Sequence, residues 1–190
     1  MPLIKQIFRT HLLVRFAGTV MMIFTLTCAD SDYPMDNWID VPLQEMEPPA
    51  VFFNPHEINV SVGDTFAINL YVLQVENVAG VHLKVHYMRE SLQFLDSVEV
   101  GELFIDAYDS SLFFWDATGS YLDVYSFYLA TDERTYSSGT ASIATAYFKL
   151  INDESGNTDI IYIRPETRMV TPDNQPIEIK TYGKATINID

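Results

Sequence analysis

Between Val81 and Tyr87 apolar and polar residues alternate without a break, with Val81, Leu83, Val85 and Tyr87 set against His82, Lys84 and His86. A strict period of two puts one set on each side of an extended strand, so this run is a half-buried strand with its apolar side on a core. A helix would scatter the two sets around its circumference. Arg89, Glu90 and Ser91 turn the chain, and Leu92, Phe94 and Leu95 open a second apolar run that Gly101 closes. Residues 78–104 therefore read as two strands joined by a short connection.

The same period recurs elsewhere. Ile58, Val60 and Val62 share one face, and Phe66, Ile68, Leu70 and Val72 alternate with Ala67, Asn69, Tyr71 and Leu73. Further strands are expected over 50–53, 112–116, 121–131, 140–150, 158–164, 169–170, 177–180 and 184–189. Turns are expected at 62–64, 117–120 and 152–157, and a polar loop at 132–139, each rich in Gly, Asn, Asp or Ser. Aromatic residues make up 13% of the 190 and hydrophobic residues 48%, which favours strands and suffices for one core. Many short strands with regular turns predict an all-β sandwich or barrel.

The order of small motifs carries a resemblance. Gly63-Asp64 opens a strand, Ala79-Gly80 precedes the alternating run, and Tyr87 ends it. Leu92-Gln93-Phe94 and Val98-Glu99-Val100-Gly101 follow, then a Gly-led strand from Gly139 that ends in Phe148-Lys149, then a closing strand pair over 176–189. Over residues 50–190 this resembles the cohesin module, the receptor domain of cellulosome scaffolds. One departure is Met88, where the family usually has Asp after the strand-ending Tyr. The resemblance implies a two-sheet jelly-roll β-sandwich of about nine strands whose two chain ends pair. It also implies a non-catalytic module that captures a dockerin-bearing protein in polysaccharide degradation, with calcium carried by that partner and no cofactor here.

The N-terminal part has a different character. Lys5, Arg9 and Arg15 precede an apolar run of twelve over 16–27, and Cys28 follows at once. Twelve residues are too few to span a bilayer, which takes about 20, so 1–27 reads as a signal peptide. It resembles a bacterial lipoprotein signal in which Cys28, the one cysteine, is acylated, although Leu26 stands two residues before it where three is usual, and Thr27 replaces a smaller residue. The expected location is then across the inner membrane, on the bacterial envelope or cell surface, with lipid as the sole membrane attachment. Residues 28–49 read as the lipidated Cys and an acidic, Pro-rich tether, with Pro34, Pro42, Pro48 and Pro49 blocking helix. Trp38 and Ile39 interrupt its polar character.

The first 27 residues hold three of the 11 basic residues and no acid, so the remainder carries 26 acidic against 8 basic residues, a net charge of −18. Such a surface repels phosphate backbones and excludes nucleic acid as a partner; it attracts cationic surfaces. One cysteine allows no internal disulfide, and the place of Cys28 at the end of the signal segment argues against a cysteine nucleophile. Neither a Gly-x-Ser-x-Gly elbow nor an EF-hand loop is present: in the run from Asn152 the glycine, Gly156, falls at position five and Ile163 at twelve. His82 and His86 lie about 13 Å apart on a strand, too far to share one ion. Asp106, Asp109, Asp116 and Asp123 read as hydrated turn and strand residues. No catalytic residue and no metal site is assigned.

What remains is a surface. Alternation exposes His82, Lys84 and His86 on one strand; Asp123 argues that Tyr125 and Phe127 share its outward side on a second. On a third, Ala144, Ala146 and Phe148 face in and Ile143, Thr145 and Tyr147 face out. The resemblance implies that these three strands, and the strand over 112–116, lie in one sheet whose outer face receives dockerin. Trp115 sits in a run apolar on both sides, so its direction stays open. Aromatics rimmed by polar groups suit a protein partner. A carbohydrate-binding module of the same sandwich class, with Tyr125, Tyr147 or Trp115 as sugar platforms, and a structural envelope protein are the alternatives.

Overall fold

A computed structural model describes residues 46–104, 111–129, 135–153 and 156–189. The stretch expected to be a signal peptide, Cys28, the expected tether up to residue 45, and Asp106 and Asp109 lie outside the described residues. The described chain forms thirteen strands: β1 Ala50–Asn54, β2 Glu57–Val60, β3 Thr65–Val78, β4 Gly80–His86, β5 Leu92–Val100, β6 Ser111–Thr118, β7 Tyr121–Tyr128, β8 Ser137–Leu150, β9 Thr158–Tyr162, β10 Arg168–Val170, β11 Pro176–Ile177, β12 Thr181–Tyr182 and β13 Lys184–Ile189. The count exceeds nine because the edges are broken into pieces of two to four residues. Pro55, which has no N–H to donate, separates β1 from β2. Gly183 separates β12 from β13, where a Cβ would stand 3.2 Å from the Phe52 Cα.

Two sheets result. The first has the order β12-β1-β3-β8-β5. The second runs β6-β7-β4, and the far edge of β4 is shared. Its beginning pairs with β10, which leads to β11; its end pairs with β9, which leads to β13 and β2. The first and last described strands meet: β12 lies parallel to β1 and β13 parallel to β2.

The sandwich interior is built by the alternation read above. Ile68, Leu70 and Val72 of β3 and Ala144, Ala146 and Phe148 of β8 meet Val81, Leu83 and Val85 of β4 and Leu122 and Val124 of β7, all at most 4% exposed. Each such aliphatic side chain contributes about 1.5–3 kcal/mol through burial. Between the sheets, Phe53 and Tyr162 stack with centroids 4.2 Å apart, and the Tyr162 hydroxyl donates to the Phe52 carbonyl at 3.0 Å. On the sandwich edge, Trp115 packs edge-on against Phe94 at 5.5 Å.

Two expectations about β8 are corrected. Its partners are β3 and β5, so it belongs to the first sheet and shares no sheet with β4 and β7. Ile143 is 1% exposed and part of the core. The register explains it: Leu70 pairs with Ala144 but Tyr71 pairs with Ser142, so Ile143 is the extra residue of a bulge, and the alternation slips by one there. The chain after β5 covers the bulge, with Gly101 N–H donating to the Ile143 carbonyl at 2.8 Å and Leu103 N–H to that of Ser142 at 2.9 Å. β8 also begins at Ser137, inside the stretch expected to be loop.

Candidate functional site

The outer face of the second sheet brings together aromatic, histidine and charged side chains from five strands. Pairing aligns its outward residues in rows across the strands. Phe114, Tyr125, His82 and Arg168 form one row over β6, β7, β4 and β10; Asp116, Asp123 and Lys84 form the next; Thr118, Tyr121, His86 and Ile161 form a third. Inward residues of the same strands supply the core, so the face is rigidly backed.

The first row is a stack. Tyr125 lies 4.2 Å from His82 at an interplanar angle of 9° and 4.6 Å from Phe114 at 17°, with these partners on opposite neighbouring strands. Phe127 meets Phe114 edge-on at 6.0 Å. Cross-strand aromatic pairs contribute roughly 0.5–1.5 kcal/mol each beyond their buried area. Both faces of Tyr125 are therefore occupied by protein rings, and it offers a ligand its edge and hydroxyl. Burial raises the Tyr125 phenol pKa, and the Asp123 charge adds to the shift.

Below the stack, Asp123 is a hub. Its Oδ1 lies 2.6 Å from His82 Nε2, and its Oδ2 lies 3.8 Å from Lys84 Nζ, which donates to Glu166 Oε2 at 2.7 Å. The hydrogen bond to Glu166 raises the Lys84 pKa; desolvation opposes it and Asp123 reinforces it. Lys84 also lies 5.2 Å from the Tyr121 ring centroid, beside the tilted pair of His86 and Tyr121. The cluster fixes side-chain orientation and leaves little free charge.

Of the residues expected on one face, His82, Lys84, His86, Asp123, Tyr125 and Phe127 are brought together. Ile143, Thr145 and Tyr147 are not. Ile143 is in the core, while Thr145 and Tyr147 stand on the outer face of the first sheet. There Thr145 donates to Asn69 Oδ1 at 2.6 Å, and a hydrogen bond with Glu99, followed by desolvation, raises the Tyr147 phenol pKa. Trp115 faces inward. Leu112 and Phe114, 44% and 48% exposed, were not assigned to the face, nor were Arg168 and Ile161. A signal for β6 was present: Asp116 and Thr118 share the parity of Leu112 and Phe114 and mark the solvent side. Among the described residues no group of three His, Cys, Asp or Glu side chains is placed to hold a metal ion.

No family model matches the sequence, and no curated protein matches it. Solved structures do match the fold. A cohesin in a type I cohesin–dockerin complex from Clostridium thermocellum shares 18% identity at a TM-score of 0.59, over 74% of this chain and 94% of that one. A non-cellulosomal cohesin from the archaeon Archaeoglobus fulgidus gives 15% and 0.59 over 74% and 90%. A type II cohesin domain from the cellulosome of Acetivibrio cellulolyticus gives 16% and 0.58 over 74% and 96%. The chain thus has the fold of cohesin domains, at identities that speak for fold alone.

Proposed function

We propose that this chain is a non-catalytic binding module that captures a dockerin-type protein partner on the outer face of its second sheet. The observation that carries the reading is the stacked row of Phe114, Tyr125 and His82 beside the charge cluster of Asp123, Lys84 and Glu166. An apolar centre rimmed by ordered polar groups is the anatomy of a protein interface. Polysaccharide would need open ring faces, and those of Tyr125 are taken by its neighbours. The likeness to cohesins solved with dockerins supports the choice of partner class. In this reading calcium belongs to the partner, and the captured protein takes part in polysaccharide degradation. Cys28 carries the lipid that holds the module on the bacterial envelope; incorporation of labelled palmitate that survives in the parent and is lost in Cys28→Ala checks this.

The test is capture by the immobilised whole chain of purified dockerin-type proteins, in calcium and then in chelator. Capture in calcium alone, weakened at least about tenfold by Tyr125→Ala or Phe114→Ala, is expected, because interface aromatics carry most of the binding energy. Tyr147→Ala, on the opposite sheet, leaves it unchanged. Retention on insoluble polysaccharide with no protein captured would overturn the reading.

A further inference from the structure

At one end of the aromatic row the second sheet is hollowed. Gly80 faces outward there, and a Cβ on it would meet Val170 Cγ2 at 3.2 Å and Phe127 Cβ at 3.3 Å. The hollow holds about 490 Å³, with Arg168 among its lining and the turn through Thr171, Pro172 and Asn174 as a wall. That wall is preformed: Asn174 N–H donates to the Thr171 carbonyl and Thr171 N–H to that of Gln175, both at 2.9 Å. The floor is apolar, from Gly80, Val170 and Phe127.

Arg168 sits opposite His82 in the ladder. His82 lines the hollow as well, held in place with its ring on Tyr125 and its Nε2 on Asp123. Lys84, Arg89, Lys180 and Lys184 each have a carboxylate within ion-pair distance. Among the described residues Lys149, Arg164 and Arg168 have none; Arg164 lies over the Tyr182 ring at 5.2 Å, and of the three Arg168 is the one that lines the hollow. A guanidinium without an ion-pair partner beside a largely apolar hollow is a fork that binds a carboxylate through two parallel N–H donors.

We infer that this hollow is the anchor pocket of the docking face and takes a Glu or Asp side chain of the partner on Arg168, with a neighbouring aliphatic side chain seated against its apolar floor. The inference rests on the reading of this face as a protein docking surface. The acidic body of the chain draws in a partner of basic character, and the single carboxylate on Arg168 sets its register, the usual division between long-range steering and local specificity.

The probe is an acetylated, amidated Leu-Glu-Leu-Leu peptide, with its Gln counterpart, added to the isotope-labelled whole chain while the Gly80 amide and the Arg168 Nε–H are followed by NMR. The Glu peptide is expected to shift both signals, and the Gln peptide to bind at least about tenfold more weakly, as for a lost charge-assisted hydrogen bond. Arg168→Gln brings the Glu peptide down to the Gln level, Arg168→Lys falls between, and Gly80→Val, which fills the hollow, abolishes both. Because Arg168 is exposed, its variants keep the fold and carry the test should Gly80→Val unfold. Equal binding of the two peptides, indifference to Arg168→Gln, or occupation by trigalacturonate at lower concentration than the peptide overturns the proposal. If a dockerin-type protein is captured equally well by Arg168→Gln, the anchor is wrong and the docking face stands. If none is captured while the Glu peptide still binds through Arg168, the docking reading fails and the pocket stands.

Discussion

Tyr162 shows how much one hydroxyl does in this sandwich. It is buried in the core, its ring stacks on Phe53, and its hydroxyl donates to the Phe52 carbonyl. Tyr162→Phe keeps the ring and is expected to cost about 1–2 kcal/mol, the range for a buried hydrogen bond whose partner is left behind, read from urea midpoints. Burial also pushes the Tyr162 phenol well above its ordinary value of 10.0. A raised folded pKa means the folded chain holds its proton after the unfolded chain has lost it. The stability this represents is complete below pH 10 and is lost above it, at up to about 1.4 kcal/mol per pH unit. Urea midpoints for the parent should therefore fall above pH 10, and more gently for Tyr162→Phe. At this scale the sequence was partly legible. The inward sets of β4 and β7 and the outward places of His82, Asp123 and Tyr125 followed from alternation and one carboxylate. Phe114 was missed although Asp116 shares its parity.

At the scale of elements, β8 marks the limit of such reading. Alternation tells which residues of a strand share a side, and nothing in it tells which sheet the strand joins. The phasing of Thr145 and Tyr147 as outward holds, and the sheet that the resemblance implied for them does not, since β8 pairs with β3 and β5. The bulge at Ile143 adds a second limit, since one inserted residue reverses the phase without changing composition. The sequence does hold a mark of it. Gly101 is the residue that lets the chain cross the bulge, for a Cβ there would lie 2.4 Å from the Ser142 carbonyl oxygen and 2.6 Å from the Ile143 carbonyl carbon. Those neighbours are backbone and cannot swing away. Gly101→Ala is expected to cost about 1–3 kcal/mol, the usual scale of overpacking. Hydrogen exchange at Leu103, which donates to Ser142, should rise more than at Leu83 in the opposite sheet.

At the largest scale, the sandwich is closed by its first and last strands. β13 lies between β9 and β2, and its Ala185 and Ile187 are fully buried in the core. Deleting 181–190 would strip β1 and β2 of their parallel partners and open the core; the shortened chain is expected to lose cooperative thermal unfolding by calorimetry. The parallel pairing has a mechanical meaning as well. The described chain enters at the start of β1 and leaves at the end of β13, while β1 runs alongside β12 and β2 alongside β13 in the same sense. Tension applied at these two points slides the paired strands along each other, so their hydrogen bonds bear load together and do not open one after another like a zipper. A domain fastened in this way resists stretching until it fails in a single step.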